Sequence, residues 1–166
     1  MSKVLTFSRT FPAYHPKKGQ PTHFVEKIWK SLYINGICPD WLNDPINNYM
    51  EAGIEEPYLG YYNVVKKVHT IRTGNRWKIG DKFSPRVWTG KPYQSKQIII
   101  APDIEIKRLW DFEFAAPGYF INGMHVSAKD IIRLAENDGL HVNDLFSWFN
   151  KPTIGQVICW DESINY

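Results

Sequence analysis

Apolar residues alternate with polar ones in Val4-Leu5-Thr6-Phe7-Ser8-Arg9, which predicts an opening strand with Leu5 and Phe7 on one face. Residues 12–19 read as a loop ending in Lys17 and Lys18. Phe24, Ile28 and Leu32 then recur every fourth residue, with Val25 and Trp29 beside them. This spacing predicts a helix capped by Thr22, running to about Tyr33 and ended by Gly36. Pro39, Pro45 and Pro57, with Asn43, Asp44, Asn47 and Asn48, break the periodicity over residues 37–60. That connection admits a short helix over 48–52, and Trp41, Leu42, Tyr49 and Met50 make it a packed lid or flap. From Val64 the pattern turns to β: a strand over 68–72, a Gly74-Asn75 turn, and a second strand entered from Lys78 and ending near Trp88. Residues 96–114 form two strands, or one sharply bent strand, broken at Pro102-Asp103. Ser127 and Asp130 form a capping box for a helix whose apolar side is Ile131, Ile132, Leu134 and Ala135. Asp138-Gly139 closes it, Asn143 caps a second helix that buries Leu145, Phe146, Trp148 and Phe149, and residues 155–160 make a last strand. The elements describe an α+β domain with a curled or barrel-like sheet.

The 166 residues suit one domain able to bury most of its apolar surface. With 43% hydrophobic and 22% charged residues the chain is globular, and no apolar run reaches membrane-spanning length. The first residues lack the apolar core of a signal peptide, so a cytoplasmic protein is expected, with Cys38 and Cys159 as free thiols. The five histidines show no metal-ligand spacing, so neither a metal nor a cofactor is expected. Net charge is only +3, but its distribution is uneven. Residues 60–109 carry eleven cations and three carboxylates, whereas residues 110–166 carry three cations and eight carboxylates. Such a basic block attracts phosphates, unless the acidic block faces and neutralises it.

Within the basic block, Lys66-Lys67-Val68-His69-Thr70-Ile71-Arg72 places a lysine three residues before a threonine. Crowded by cations or buried, Lys67 could lose its proton and serve as base for Thr70; the bland alternative is an exposed basic hairpin. Thr70 and Arg72 share a strand face with Val68, and His69 points the other way. Lys67 joins Thr70 only if a bulge breaks the alternation near Val68. Asp138 is either turn chemistry before Gly139 or a carboxylate aimed at this pair, since a helix C-terminus disfavours negative charge. Trp77 and Tyr93, interleaved with cations, are either core rings or stacking platforms for bases. No P-loop, dinucleotide-binding or nucleophile-elbow motif is present.

Lys67-x-x-Thr70-x-Arg72, then Trp77-Lys78-x-Gly80-Asp81, then residues 135–140, 144–149 and 155–158, resemble in order the ASCH domain, a branch of the PUA-like superfamily. The resemblance covers roughly residues 60–160 and the first strand. It implies a single PUA-like domain, a small β-barrel with flanking helices, with residues 22–60 as a helix-plus-loop elaboration. It also implies a basic cleft for RNA or a modified nucleoside, with Lys66, Arg72, Arg76 and Trp77 as ligand contacts. Some compact members are amidohydrolases acting on N4-acetylcytidine. Carried over, Lys67 would be the base, Thr70 the nucleophile and Asp138 the assisting carboxylate. Where the family has a longer glutamate, this chain has Asp138, so binding carries over more readily than catalysis. RNA hydrolysis, with Lys67 and Arg72 stabilising charge on the phosphate, is a third expectation.

Overall fold

The computed structural model describes residues 2–36, 47, 49–51 and 64–166. Most of the lid expected at 37–60, and Cys38, lie outside the described residues. The chain divides into two compact units, Met1–Lys66 with Lys82–Ile104, and Lys67–Asp81 with Glu105–Tyr166.

In the first unit, β1 (Lys3–Thr6) pairs parallel with β3 (Lys82–Trp88), which pairs antiparallel with β4 (Gln97–Ile99). Ile104 begins a two-residue strand, β5 (Ile104–Glu105), that also joins β3. Helix α1 spans Phe24–Ile34 and buries Phe24, Val25, Ile28, Trp29 and Leu32, the stripe read from the sequence. It starts later than expected. Thr22 Oγ1 does accept a hydrogen bond from the Phe24 amide (3.3 Å), but the N-cap is His23, in the left-handed region at φ 56°. Gly36, at φ 70°, does follow the helix end. The Trp29 indole donates to the Ile100 carbonyl (2.6 Å), tying α1 to the chain just after β4. Residues 47 and 49–51 are helical, and Tyr49 meets Trp29 edge-on at 6.3 Å.

The second unit holds a five-stranded antiparallel sheet in the order β2 (His69–Thr73), β9 (Thr153–Cys159), β6 (Arg108–Ala115), β7 (Gly118–Ile121), β8 (Met124–His125). Register fixes its two faces. His69, Cys159 and Arg108 lie in line, as do Ile71, Val157 and Trp110, and then Thr73, Gly155 and Phe112. On the other face Thr70 aligns with Ile158 and Leu109, and Arg72 with Gln156 and Asp111. Helices α2 (Ala128–Asn137) and α3 (Val142–Trp148) cover the His69–Phe112 face, and Phe149, just past α3, sits 5.2 Å from Phe112.

The mixed α+β class is as expected, but neither described sheet closes into a barrel. The reason is local: β8 has only two residues before the chain turns into the Ser127 cap of α2, so β8 and β2 stay as opposite edges. The capping box itself is present, with Ser127 Oγ accepting from the Asp130 amide and donating to its carboxylate. Helix α3 departs from expectation. Its N-cap is His141, and over two turns only Leu145 among its apolar residues is fully buried, while Phe146 is exposed.

Candidate functional site

The last turn of α2 needs partners for its free carbonyls, and the residues leading into β2 supply them. The Val68 amide donates to the Asn137 carbonyl (2.9 Å). The Lys67 ammonium donates to the Asp138 carbonyl (2.6 Å) and to Asp138 Oδ1 (2.7 Å). A carboxylate at a helix C-terminus is thereby matched by a cation that also satisfies the helix dipole. Both partners are buried, Lys67 to 1% exposure and Asp138 to 5%. Gly139, at φ 74°, then turns the chain away.

His69 completes the cluster. Its ring is fully buried, and Nδ1 lies 3.4 Å from Asp138 Oδ1, within ion-pair reach but outside hydrogen-bond geometry. Its Nε2 is 2.8 Å from the Tyr166 hydroxyl, which also accepts from Asn137 Nδ2 (2.7 Å). The Tyr166 hydroxyl thereby ties the buried imidazole to the end of α2. Burial pushes the imidazole below its ordinary pKa; Asp138 pulls it up, Lys67 pushes it down, and burial wins. For Asp138 burial raises the carboxyl, but Lys67 and His69 outweigh it and the net shift is downward. Burial also raises the Tyr166 phenol.

These shifts have one direction in pH. Above ~6.5 His69 is neutral in both folded and unfolded chains, and below it only the unfolded chain takes up the proton, so stability falls with acid. Asp138 adds to the loss below ~3.9, as pH drops through its depressed folded value. We expect the unfolding midpoint of the second unit to fall between about pH 7.5 and about pH 5, by up to ~1.4 kcal/mol per pH unit from His69. His69→Gln should flatten that slope. An equal slope in wild type and variant would place the titrating group elsewhere.

The sequence-predicted residues are only partly brought together. Lys67 and Asp138 meet. Lys67 keeps the alternation and shares the His69 side, so no bulge carries it to Thr70. Thr70 lies on the opposite face, 5% exposed, and among the described residues no hydrogen bond joins it to Lys67 or Asp138. Arg72 follows Thr70 on that face, half-buried. Trp77 is core, 3% exposed, its backbone held at both ends by Gln156 through the amide (3.1 Å) and carbonyl (3.2 Å). Arg76 is exposed with its guanidinium 4.9 Å from the Trp77 ring, and Lys66 is half-buried. Tyr93 is exposed and rests 5.3 Å from Trp88.

Compared with protein-family models, curated proteins and solved structures, the chain matches none. The residues that sequence reasoning missed are Asn137 and Tyr166. His69, on the face opposite Thr70 as the strand alternation predicts, is buried and bonds to Tyr166. Among the described residues no three His, Cys, Asp or Glu side chains are grouped to hold a metal, and no helix is long and apolar enough to cross a membrane. Cys159 is buried, its thiol donating to the Asp161 carbonyl (3.3 Å).

Proposed function

We propose that the chain is an ASCH-like cytoplasmic protein that binds RNA or a modified nucleoside through the basic turn between β2 and β3. The observation that carries this reading is how the basic segment divides its cations. Lys67 is neutralised inside the fold, whereas Arg76 and Lys78 are exposed on a turn whose position is fixed. Buried Trp77 pins the turn from within. The Lys78 amide donates to Asp81 Oδ2 (3.0 Å), and Gly80, at φ 84°, lets the chain reverse. A fixed pair of outward cations suits a phosphate backbone, because little side-chain and loop order is lost on binding. Beside it, a cleft of about 360 Å³ is bordered by Gly74, Asn75, Asp111, Glu113 and Phe120. Its two carboxylates repel phosphate and suit the exocyclic amine of a base.

A Lys-activated Thr70 fits this geometry poorly. The threonine is buried on the face away from Lys67, and the lysine donates to both the carbonyl and the carboxylate of Asp138. The test is fluorescence anisotropy of a short labelled single-stranded RNA across a salt series. The double change Arg76→Ala with Lys78→Ala should weaken binding and flatten the slope of log K against log salt by ~1.4, since each single-strand phosphate contact contributes ~0.7. Thr70→Ala should leave binding in place. Unchanged binding in the double variant would move the RNA surface elsewhere. Hydrolysis of N4-acetylcytidine that disappears with Thr70→Ala would replace this reading with the amidohydrolase, and RNA cleavage would replace it with a nuclease.

A further inference from the structure

A second concavity opens beside α2, separate from the basic turn. Its volume is about 240 Å³. Leu134 and Ile121 form a buried floor, and Met124 stands at its mouth at 68% exposure. Tyr166 forms one wall. Its hydroxyl is bonded to His69 and Asn137, and its ring is braced edge-on by Trp110 at 4.9 Å, so this wall is fixed in position and tilt.

Over that ring, with its guanidinium 5.4 Å from the centroid, lies Arg133. Among the described residues the Arg133 guanidinium has no hydrogen bond or ion pair. The pocket's own carboxylate, Asp130, accepts instead from the Ser127 hydroxyl (2.6 Å) at the start of α2. The site therefore combines an apolar floor, a rigid aromatic wall and a guanidinium with no hydrogen-bond or ion-pair partner among the described residues.

We propose that this pocket binds a compact carboxylate with an aromatic or branched apolar body. The carboxylate would take the paired donors of Arg133, and the body would lie against Tyr166, Leu134, Ile121 and Met124. Guanidinium and carboxylate match in planarity and in two parallel hydrogen bonds, which a lysine cannot reproduce. Met124, unbranched and exposed, can adapt its side chain over the bound body. The volume lies below the ~300 Å³ at which pockets for drug-sized ligands begin, so the ligand is small. A nucleic acid does not fit here, because the floor is apolar and, among the described residues lining it, Arg133 is the one arginine or lysine.

The probe is 3-phenylpropionate, with 3-phenylpropan-1-ol as its neutral counterpart and inorganic phosphate as the anion without a body. Each is titrated into the full-length protein and followed by two-dimensional NMR. The expected result is saturable shifts at Met124, Val126 and Arg133 with 3-phenylpropionate, and binding at least ~10-fold weaker for the alcohol, as the loss of a charge-assisted pair requires. Arg133→Gln should weaken the carboxylate to the level of the alcohol without lowering the unfolding temperature, because Arg133 is exposed. Arg133→Lys should recover only part of the affinity. Absence of shifts at millimolar 3-phenylpropionate overturns the proposal. So does equal binding of the alcohol, full affinity in Arg133→Gln, or phosphate binding as tightly as the carboxylate.

Discussion

Lys67→Met destabilises the second unit by about 3–5 kcal/mol, because it strands a buried carboxylate that now lacks its cation. Asp138→Ala has an effect of similar size, leaving an ammonium buried at 1% exposure without its carboxylate. The double variant Lys67→Met with Asp138→Asn recovers a large part of the loss, since no uncompensated charge then remains. Urea unfolding followed by tryptophan fluorescence measures all four proteins. Additive losses in the double variant would mean that the two side chains act independently, and would contradict the 2.7 Å pair. The size of the effect also bears on function. A lysine in this role holds the end of α2 against the entry to β2, so variants of Lys67 are expected to lose activity by losing structure. Any kinetic test of Lys67 as a base therefore needs a folded control.

Gly155→Ala gives the second large effect, about 3 kcal/mol of destabilisation with loss of the β2 edge. A Cβ at this position would stand 2.1 Å from the Arg72 carbonyl oxygen and 2.8 Å from its carbon, with Thr73 Cα at 3.0 Å. All three atoms are backbone, so no side-chain rotation relieves the clash and β2 must separate from β9. The neighbouring bond from the Gly74 amide to the Ile154 carbonyl (3.2 Å) goes with it. Because β2 leads into the turn bearing Arg76 and Lys78, RNA binding should fall together with stability. Hydrogen exchange reports the change directly, as faster exchange of the Arg72 and Gly74 amides, which face β9 in this register. Native exchange at those positions would show that the two strands can accommodate the methyl.

Much of the candidate site could be read from the chain before its shape was known. Strand alternation alone separated His69 from Thr70, and the structure keeps that separation through Lys67. The helix ending at Asp138-Gly139 was legible because a capping box at one end and a turn dipeptide at the other are local signals. Tyr166 and Asn137 left no such trace. Their hydroxyl and amide matter only because the fold brings residues 29 and 97 positions apart to one point, and no spacing rule encodes that. Trp77 was ambiguous for a different reason: a ring among cations looks the same in sequence whether it stacks on a base or fills a core. Its backbone is held in place by Gln156, 79 residues away. The open sheet was hidden likewise, since barrel closure turns on how many residues β8 can pair before α2 begins.

The Lys67–Asp138 and His69–Tyr166 contacts have a bearing on how the second unit acquires its structure. They join residues 71 and 97 positions apart, whereas α2 and the β6–β7 hairpin are built from neighbours. Closing a long loop costs entropy before any contact rewards it, so helix and hairpin form first and the polar cluster is among the last contacts made. The same four side chains that look like a reactive centre thus act as the clasp that completes folding, drawing the first strand and the last residues of the unit onto one helix end.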